Sequence, residues 1–257
     1  MYDYHMHTTV SFDGRDLPEP MAQAAAARGL KEICFTDHID FTPTQNMVFN
    51  TDAYNKAYDC LEVPDLLIRK GMEFGLSPNN QEQLRRDLTR RHFDFVLGSV
   101  HFVDHEDVYY APYWQDRTQL LAERMYLEET LKCVQVHTDY DVLGHLTYIG
   151  KCPGNPAHRP VVYEDHRELI DEILRELVRH GKGMELNTSG MDACGGFLPT
   201  LDLFQRFHEL GGRIITVGSD AHHTRRVGQY THEAVEELKK IFGYVCTFEN
   251  RKPIFHK

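Results

Sequence analysis

Short apolar runs alternate along this chain with longer segments in which apolar residues recur every three to four positions. The short runs are rich in β-branched and aromatic residues and predict strands at Tyr2–His5, Glu32–Thr36, Leu67–Glu73, Phe95–Val100, Asp141–His145, Gly183–Asn187, Arg213–Gly218 and, as an eighth run, Tyr244–Phe248. The longer segments predict helices at Pro18–Arg28, Gln81–Arg91, Asp116–His137, Glu164–His180, Thr200–Leu210 and Thr231–Phe242. This alternation predicts a parallel sheet with right-handed crossovers, either closed into a barrel or open.

The helix predicted over Glu164–His180 shows the pattern most clearly. Its apolar residues form one stripe at helical spacing, with charged residues opposite: Leu169, Ile170, Ile173, Leu174, Leu177 and Val178. Gly181 follows, and glycine is favoured where a helix ends in a left-handed backbone conformation. The segment is therefore predicted to cover one face of the sheet.

The length of 257 residues fits one α/β barrel, and no Pro- or Ser-rich linker divides the chain, so we predict a single domain over residues 1–257. Hydrophobic residues make up 41% and charged residues 26%, as in ordinary globular proteins. No apolar run approaches about 18 residues, and the first residues lack the features of a secretion signal. No membrane contact and a cytoplasmic location are therefore expected. The six cysteines are scattered, as is typical of reduced thiols.

The net charge of −11 argues against a protein that binds duplex DNA, which needs a basic surface. Carboxylates that hold metal ions would also contribute to this charge. The chain has 16 histidines, and their positions are informative.

Each of the first seven predicted strands ends at, or runs into, an imidazole, a carboxylate or an amide. These ends are His5-Met6-His7, Asp37-His38, Glu73, His101, His145, Asn187 and Asp220-Ala221-His222. In a closed parallel barrel all such ends meet at one rim, where barrel enzymes place their sites. This placement favours the barrel over the open sheet.

Alternate residues of a strand point to the same side, so His5 and His7 can bind one ion together. Glu73 lies between two apolar neighbours, and a glutamate facing the barrel interior there needs a cation. Taken singly, His101 and His145 are better interpreted as hydrogen-bonded core histidines than as metal ligands. The coincidence of all these strand ends favours a metal site.

The remaining histidines are expected at the surface, in helices or loops, or at the tail: His92, His105, His137, His158, His166, His180, His208, His232 and His256. His223 is expected to point away from the site because it follows His222. The aromatic run Tyr109–Trp114 either lines a pocket wall or packs over a helix.

Together these motifs resemble those of the PHP (polymerase and histidinol phosphatase) superfamily, and more narrowly its histidinol-phosphatases. The resemblance spans nearly the whole chain in the right order. The segments that carry it are His5-Met6-His7-Thr8 with Ser11 and Asp13, Asp37-His38, Glu73, Gly98-Ser99-Val100-His101, Gly144-His145, Gly181–Gly190 and Gly211–His222.

The resemblance implies a distorted (β/α)7 TIM-like barrel with two to three divalent ions, of zinc, iron or manganese. It implies that the first ion is bound by His5, His7, Glu73 and Asp220. Glu73 would bridge to a second ion bound by His101 and His145. A third would be bound by His38 and His222, with Asp13 where many members have His or Asp.

The chemistry implied is hydrolysis of a phosphate monoester by a metal-bridging hydroxide, because bound ions lower the pKa of water. Asp37 and His222 are candidate proton sources for the leaving alkoxide. Arg159, followed by Arg225 and Arg251, is the candidate partner of the phosphate, although each could equally be a surface arginine. Glu185 and Tyr109–Trp114 are candidates for a pocket wall around an organic cation.

The leading hypothesis is a phosphatase that converts L-histidinol phosphate to L-histidinol in histidine biosynthesis. Its substrate is a small phosphate monoester, with no nucleic-acid partner, and the oligomeric state stays open. The main alternative is another PHP phosphoesterase acting on nucleotides or on phosphate esters in general. A metal-dependent amidohydrolase lacks support because no predicted strand ends in lysine, and a non-catalytic metal-binding protein is disfavoured because no ligand is missing.

Overall fold

The computed structural model describes residues 1–40 and 50–257 of the chain. Its strands are β1 (Tyr2–Asp3), β2 (Glu32–Phe35), β3 (His38–Ile39), β4 (Leu67–Gly75), β5 (Phe95–Ser99), β6 (Phe102–Val103), β7 (Glu106–Asp107), β8 (Val142–Leu143), β9 (Gly183–Asn187), β10 (Ile215–Gly218), β11 (Val245–Glu249) and β12 (Lys252–His256). Its α-helices are α1 (Pro18–Ala27), α2 (Thr51–Tyr58), α3 (Gln81–Arg90), α4 (Ala111–Trp114), α5 (Gln119–Val136), α6 (Arg167–Arg179), α7 (Gly190–Cys194), α8 (Leu201–Glu209) and α9 (Thr231–Phe242).

Seven parallel strands form one sheet in the order β1-β2-β4-β5-β8-β9-β10, and the short β3 pairs with β4 beyond the end of β2. The first and last strands of this sheet also meet. Tyr4 N donates to Val217 O at 2.9 Å, and Asp220 N donates to His5 O at 2.8 Å. The sheet therefore curls into a nearly closed barrel, which confirms the predicted α/β class and the distorted (β/α)7 TIM-like architecture.

The apolar stripe predicted on α6 faces the barrel. Ile170, Ile173, Leu174 and Leu177 are fully buried on this helix, and each such side chain stabilises the fold by roughly 1.5–3 kcal/mol through burial. The helices thus cover the outer face of the sheet and leave the strand ends free to form a site. None of the helices in the described ranges is both long and apolar enough to cross a membrane.

The eighth predicted strand exists, but outside the barrel. Here β11 pairs with β12 in a separate antiparallel hairpin, whose turn residues Asn250 and Arg251 both have positive φ, as tight hairpin turns require. The ring of Phe248 packs against that of Phe95 at 4.9 Å, and its backbone oxygen accepts a hydrogen bond from the Tyr4 hydroxyl at 3.1 Å. The hairpin therefore closes the amino end of the barrel.

The helix predicted over Asp116–His137 begins later and is preceded by the separate α4. Asp116 has a φ of 59°, which a right-handed helix does not allow. Thr118 then caps α5, because its side chain accepts a hydrogen bond from Leu121 N at 3.3 Å. The predicted start at Asp116 was therefore wrong, and the helix begins at Gln119.

Two histidines predicted at the surface are buried. His137 donates from Nε2 to Ser77 O at 2.8 Å, and His166 donates from Nε2 to the Glu123 carboxylate at 2.9 Å. Both lie at helix ends that fold back onto the body of the protein. Burial is tolerated there because each ring has a hydrogen-bond acceptor.

Stability should fall in mild acid through His137. Burial lowers the pKa of its imidazole from the ordinary 6.5, so below that pH the unfolded chain binds more protons than the folded one and the free energy of unfolding decreases. We expect His137→Gln to lose less stability than the wild type in urea unfolding between about pH 7.5 and about pH 5.5. An equal loss in both proteins would contradict this; the exposed His232, changed to Gln, is the matched control.

Candidate metal centre

Ten side chains from the carboxyl ends of the barrel strands and the loops after them converge in one cluster. Six are histidines and four are carboxylates: His5, His7, His38, His101, His145, His222, Asp13, Asp40, Glu73 and Asp220. Within it, sets of three or four side chains place ligand atoms within 4.8 Å of one another. All nine residues predicted as metal ligands lie in this cluster, and Asp40 is the addition.

The first group joins His5 and His7 to Glu73 and Asp220. The Nε2 atoms of the two imidazoles lie 3.0 Å apart, and Glu73 Oε2 lies 3.3 Å from the first and 3.4 Å from the second. Asp220 Oδ1 lies 3.7 Å and 3.5 Å from the same two nitrogens. Burial lowers the pKa of His7 to about 3, which leaves a neutral imidazole able to bind a cation.

The second group uses the other oxygen of Glu73. Glu73 Oε1 lies 3.1 Å from His145 Nε2 and 3.5 Å from His101 Nε2. This oxygen is buried and accepts no hydrogen bond of normal geometry, although an unpartnered buried carboxylate oxygen is costly. A divalent cation between Glu73, His101 and His145 would remove that cost.

The third group is more exposed and surrounds Asp13. Its carboxylate accepts hydrogen bonds from His38 Nε2 at 3.1 Å and from His222 Nε2 at 2.9 Å. The ring of His7 lies against those of His38 and His222, with centroid distances of 4.8 and 4.3 Å. The third group therefore adjoins the first through His7.

The outer nitrogens of several imidazoles are held by acceptors outside the three groups. His5 Nδ1 donates to Glu185 Oε1 at 2.7 Å, and His101 Nδ1 donates to Asp40 Oδ1 at 2.9 Å. With Nδ1 protonated, the Nε2 lone pairs point into the cluster, which is the tautomer that a metal ligand needs. Although burial lowers the pKa of His5, the carboxylates of Glu185 and Glu73 raise it well above its ordinary value, so the cluster attracts positive charge.

Asp40 and Glu185 were not predicted as partners of the metal-site histidines. Asp40 follows His38 by two positions, the alternate spacing that places side chains on one side of a strand, and this spacing could have revealed it. Gly75 makes room for it, because a Cβ there would lie 1.9 Å from Asp40 Oδ1. Glu185 shows the same alternate spacing, because it precedes the strand-end residue Asn187 by two positions.

Asp37, a predicted proton source, lies behind the cluster. Its carboxylate is buried and accepts hydrogen bonds from Thr8 N at 2.7 Å, from Ser11 Oγ at 2.9 Å and from the Tyr58 hydroxyl. These donors occupy the carboxylate, which thus holds the turn after His7 and does not face a reacting group. The structure gives Asp37 a supporting role.

The three predicted arginines do not contact the cluster. Arg251 lies at the amino end of the barrel, where its Nε donates to Asp141 just before β8, and it cannot reach a substrate at the opposite end. Arg225 is exposed and bonds to His223 Nε2 at 3.2 Å. Arg159 lies in the loop from β8 to α6, 3.7 Å from Asp165.

The aromatic run Tyr109–Trp114 is divided between the two predicted roles. Tyr113 is buried and donates to Ala122 O of α5 at 2.7 Å, and Trp114 Nε1 donates to Val108 O at 2.9 Å. Tyr109 and Tyr110 remain exposed. Only these first two are available to line a pocket.

Replacing Glu185 by Gln should weaken the cluster without unfolding the protein. The change removes the charge that fixes His5 Nδ1, and loss of such an outer partner costs 10–100-fold in metal affinity or activity. We expect a fall of that order in zinc affinity, measured by competition with a chromogenic chelator. Glu32→Gln is the matched control, since Glu32 is also buried but accepts from Tyr4 and Arg69 at the other end of the barrel; equal effects of the two changes would contradict the prediction.

Comparison with known proteins identifies the family of this chain. A sequence model of the PHP domain matches residues 3–189. A histidinol-phosphatase from Lactococcus lactis is 32% identical over 256 residues, covering 97% of this chain and 95% of that protein.

Two solved structures share the fold. One is the histidinol phosphate phosphatase of Lactococcus lactis in complex with zinc, L-histidinol and phosphate; it superposes with a TM-score of 0.87 at 30% identity and covers 98% of both chains. The other, from Listeria monocytogenes, has a TM-score of 0.76 at 19% identity, covers 90% of this chain and 99% of that one, and supports the fold alone. The chain belongs to the PHP domain family, and its similarity to histidinol-phosphatases extends over nearly its whole length.

Proposed function

We propose that this protein is a metal-dependent phosphomonoesterase that hydrolyses L-histidinol phosphate to L-histidinol and phosphate, a step of histidine biosynthesis. The observation that carries the proposal is Glu73, whose two carboxylate oxygens face two separate groups of imidazoles. Such a bridging carboxylate is suited to the paired ions that catalyse displacement at phosphorus. The similarity to an enzyme whose structure holds zinc, L-histidinol and phosphate supports the choice of substrate.

The donor set fits two to three divalent ions. His5, His7, Glu73 and Asp220 would hold the first, Glu73, His101 and His145 the second, and Asp13, His38 and His222 the third. Zinc is favoured by the Lactococcus lactis structure, and the same nitrogen and oxygen donors also suit iron or manganese. When bound, the ions supply an activated water and the positive charge that offsets the phosphoryl oxygens.

Other residues of the chain orient the side chains that would bind the ions. Glu185 and Asp40 keep the Nε2 atoms of His5 and His101 directed inward. His222 carries two predicted roles, but its Nε2 faces Asp13 and cannot serve both. We therefore keep His222 among the metal ligands. A water molecule would protonate the leaving alkoxide, and the hydroxide left behind would replace the one consumed in the attack on phosphorus.

Arg159 is the arginine that we propose for binding the phosphate. It lies in the loop from β8 to α6, at the same end of the barrel as the cluster, and its side chain is 37% exposed. A guanidinium matches the geometry of a phosphate monoester dianion. The chain is further proposed to act as one domain over residues 1–257, because Asp220 and His222 lie beyond the segment that the family model matches.

The acidic charge of the chain favours a small-molecule substrate over a nucleic acid. We further propose that the enzyme acts in the cytoplasm. The alternative within the family is a phosphoesterase of broader range, acting on nucleotides or on phosphate esters in general. The substrate comparison described next distinguishes this alternative from a histidinol-phosphate phosphatase.

The test is phosphate release by the purified, zinc-loaded protein from histidinol phosphate, a nucleoside monophosphate and p-nitrophenyl phosphate. We expect kcat/KM for histidinol phosphate to exceed the others by at least about 100-fold, as a pocket that binds polar groups of its substrate achieves. Equal values would overturn the substrate and leave a general phosphoesterase. No phosphate release from any of the three would overturn the proposed activity.

A further inference from the structure

We propose that Lys151 is a positioning residue, which holds Asp220 so that one carboxylate oxygen faces the first metal position. The inference rests on the proposed function, since it concerns the same site. The Lys151 ammonium lies beside a cluster whose sequence motifs contain only histidines and carboxylates as candidate ligands.

Lys151 lies on the 3-10 turn Tyr148–Lys151, in the segment that follows β8. Its Nζ donates to Asp220 Oδ2 and, at 2.8 Å, to Ser189 Oγ, and it lies 5.0 Å from the centroid of the Tyr148 ring. The side chain is only 13% exposed. Across residues 1–40 and 50–257, the Lys151–Asp220 contact is the one ion pair that joins a lysine or arginine to the cluster.

Asp220 is fixed from two directions. Its φ of 54° is unusual for a residue other than glycine, and its N donates to His5 O at 2.8 Å, which ties its backbone to the segment after β1. Its Oδ1 faces His5 and His7, whereas its Oδ2 accepts from Lys151 Nζ and lies 3.3 Å from Ser189 Oγ. The carboxylate therefore presents a single oxygen to the first group.

The Lys151–Asp220 ion pair, here called the clamp, is linked by hydrogen bonds to the partners of His5. Ser189 Oγ accepts from Lys151 and donates to Asn187 Oδ1 at 2.6 Å. Asn187 Nδ2 in turn donates to Glu185 Oε2 at 3.2 Å. Lys151 and Glu185 thus belong to one hydrogen-bonded frame that fixes two ligands of the same metal position.

A cation is needed at this point for a physical reason. Four carboxylates converge in the cluster, and a buried carboxylate left without a partner for its outer oxygen would rotate or draw both oxygens toward the ion. The compact ammonium of lysine reaches Oδ2 without displacing Oδ1. Removing it should loosen Asp220 and weaken the first metal position, not the binding of substrate.

The test compares Lys151→Met with Lys182→Met. Lys182 also lies beside a tyrosine ring, with Nζ 5.4 Å from the centroid of Tyr140 and 2.7 Å from its backbone oxygen, but before β9 at the other end of the barrel. Zinc affinity is measured by chelator competition, and kcat and KM for histidinol phosphate by phosphate release. For Lys151→Met we expect zinc affinity and kcat each to fall about 10–100-fold, with KM changed less than about twofold, and for Lys182→Met no change.

Unchanged zinc affinity with a raised KM would place Lys151 on the substrate and overturn the proposal, as would no effect at all. If Lys151→Met fails to fold, Lys151→Gln removes the charge while keeping a polar side chain and should lower zinc affinity about 10-fold; unchanged affinity there would also overturn the proposal. A wild-type protein without activity on histidinol phosphate, but with weaker zinc binding in Lys151→Met, would refute the proposed substrate and support the clamp.

Discussion

Changing Glu73 to Gln should abolish nearly all phosphatase activity, lowering kcat by about 10³-fold or more, which corresponds to roughly 4 kcal/mol of lost transition-state stabilisation. The carboxylate serves two groups of imidazoles at once, 3.1 to 3.5 Å from four of their nitrogens. An amide has the same shape but no charge, and its NH2 group cannot bind a cation. Both positions that share Glu73 should therefore lose metal.

The measurement is steady-state phosphate release together with metal content by mass spectrometry after dialysis. Glu32→Gln, a buried glutamate at the opposite end of the barrel, should keep its metal and its kcat even if its melting temperature falls. A Glu73→Gln protein with full activity and a full metal complement would refute the paired-ion site.

Removing the metal should lower the melting temperature as well as the activity. Ions that bind only the folded state stabilise it by about 4 kcal/mol when their free concentration is about 1,000 times Kd. At about 2–4 °C per kcal/mol for a chain of this size, chelation should lower the melting temperature by roughly 8–16 °C. Without a shared cation, the buried carboxylates of the cluster repel one another, and some of its buried polar atoms lack hydrogen-bond partners.

The comparison is differential scanning calorimetry before and after chelation, followed by readdition of zinc. Recovery of both the melting temperature and the activity is expected. A melting temperature that does not change on chelation would show that the cluster holds its shape without ions, and would contradict the prediction.

The arrangement of strands could be predicted because each barrel strand carries its own local signal. Runs such as Glu32–Phe35 and Phe95–Ser99 are short and rich in apolar residues. The polar side chains at their ends are conspicuous because apolar residues surround them. The rim of a barrel then brings them together, whatever their separation along the chain.

Features that depend on long-range packing escaped sequence reasoning. The burial of His137 depends on Ser77, which is 60 positions away. The role of Lys151 depends on Asp220, 69 positions away. Neither pairing leaves a periodic pattern, because each depends on which loop lies beside which turn.

Local backbone conformation accounts for other differences. The break before α5 arises from the positive φ of Asp116, and the final hairpin from the turn at Asn250 and Arg251. The helix Thr51–Tyr58 was not predicted because it is only eight residues long, although Tyr54 and Tyr58 recur at helical spacing. It contributes two buried tyrosines, of which Tyr58 supports Asp37.

The position of Glu73 between two groups of imidazoles has a consequence for how the centre assembles. An ion bound by one carboxylate oxygen fixes the rotation of the whole group and so prepares the other oxygen for the next ion. Occupancies linked in this way are thermodynamically coupled, and the coupling is reciprocal. Loading should thus be cooperative, with half-filled molecules scarce at intermediate zinc supply.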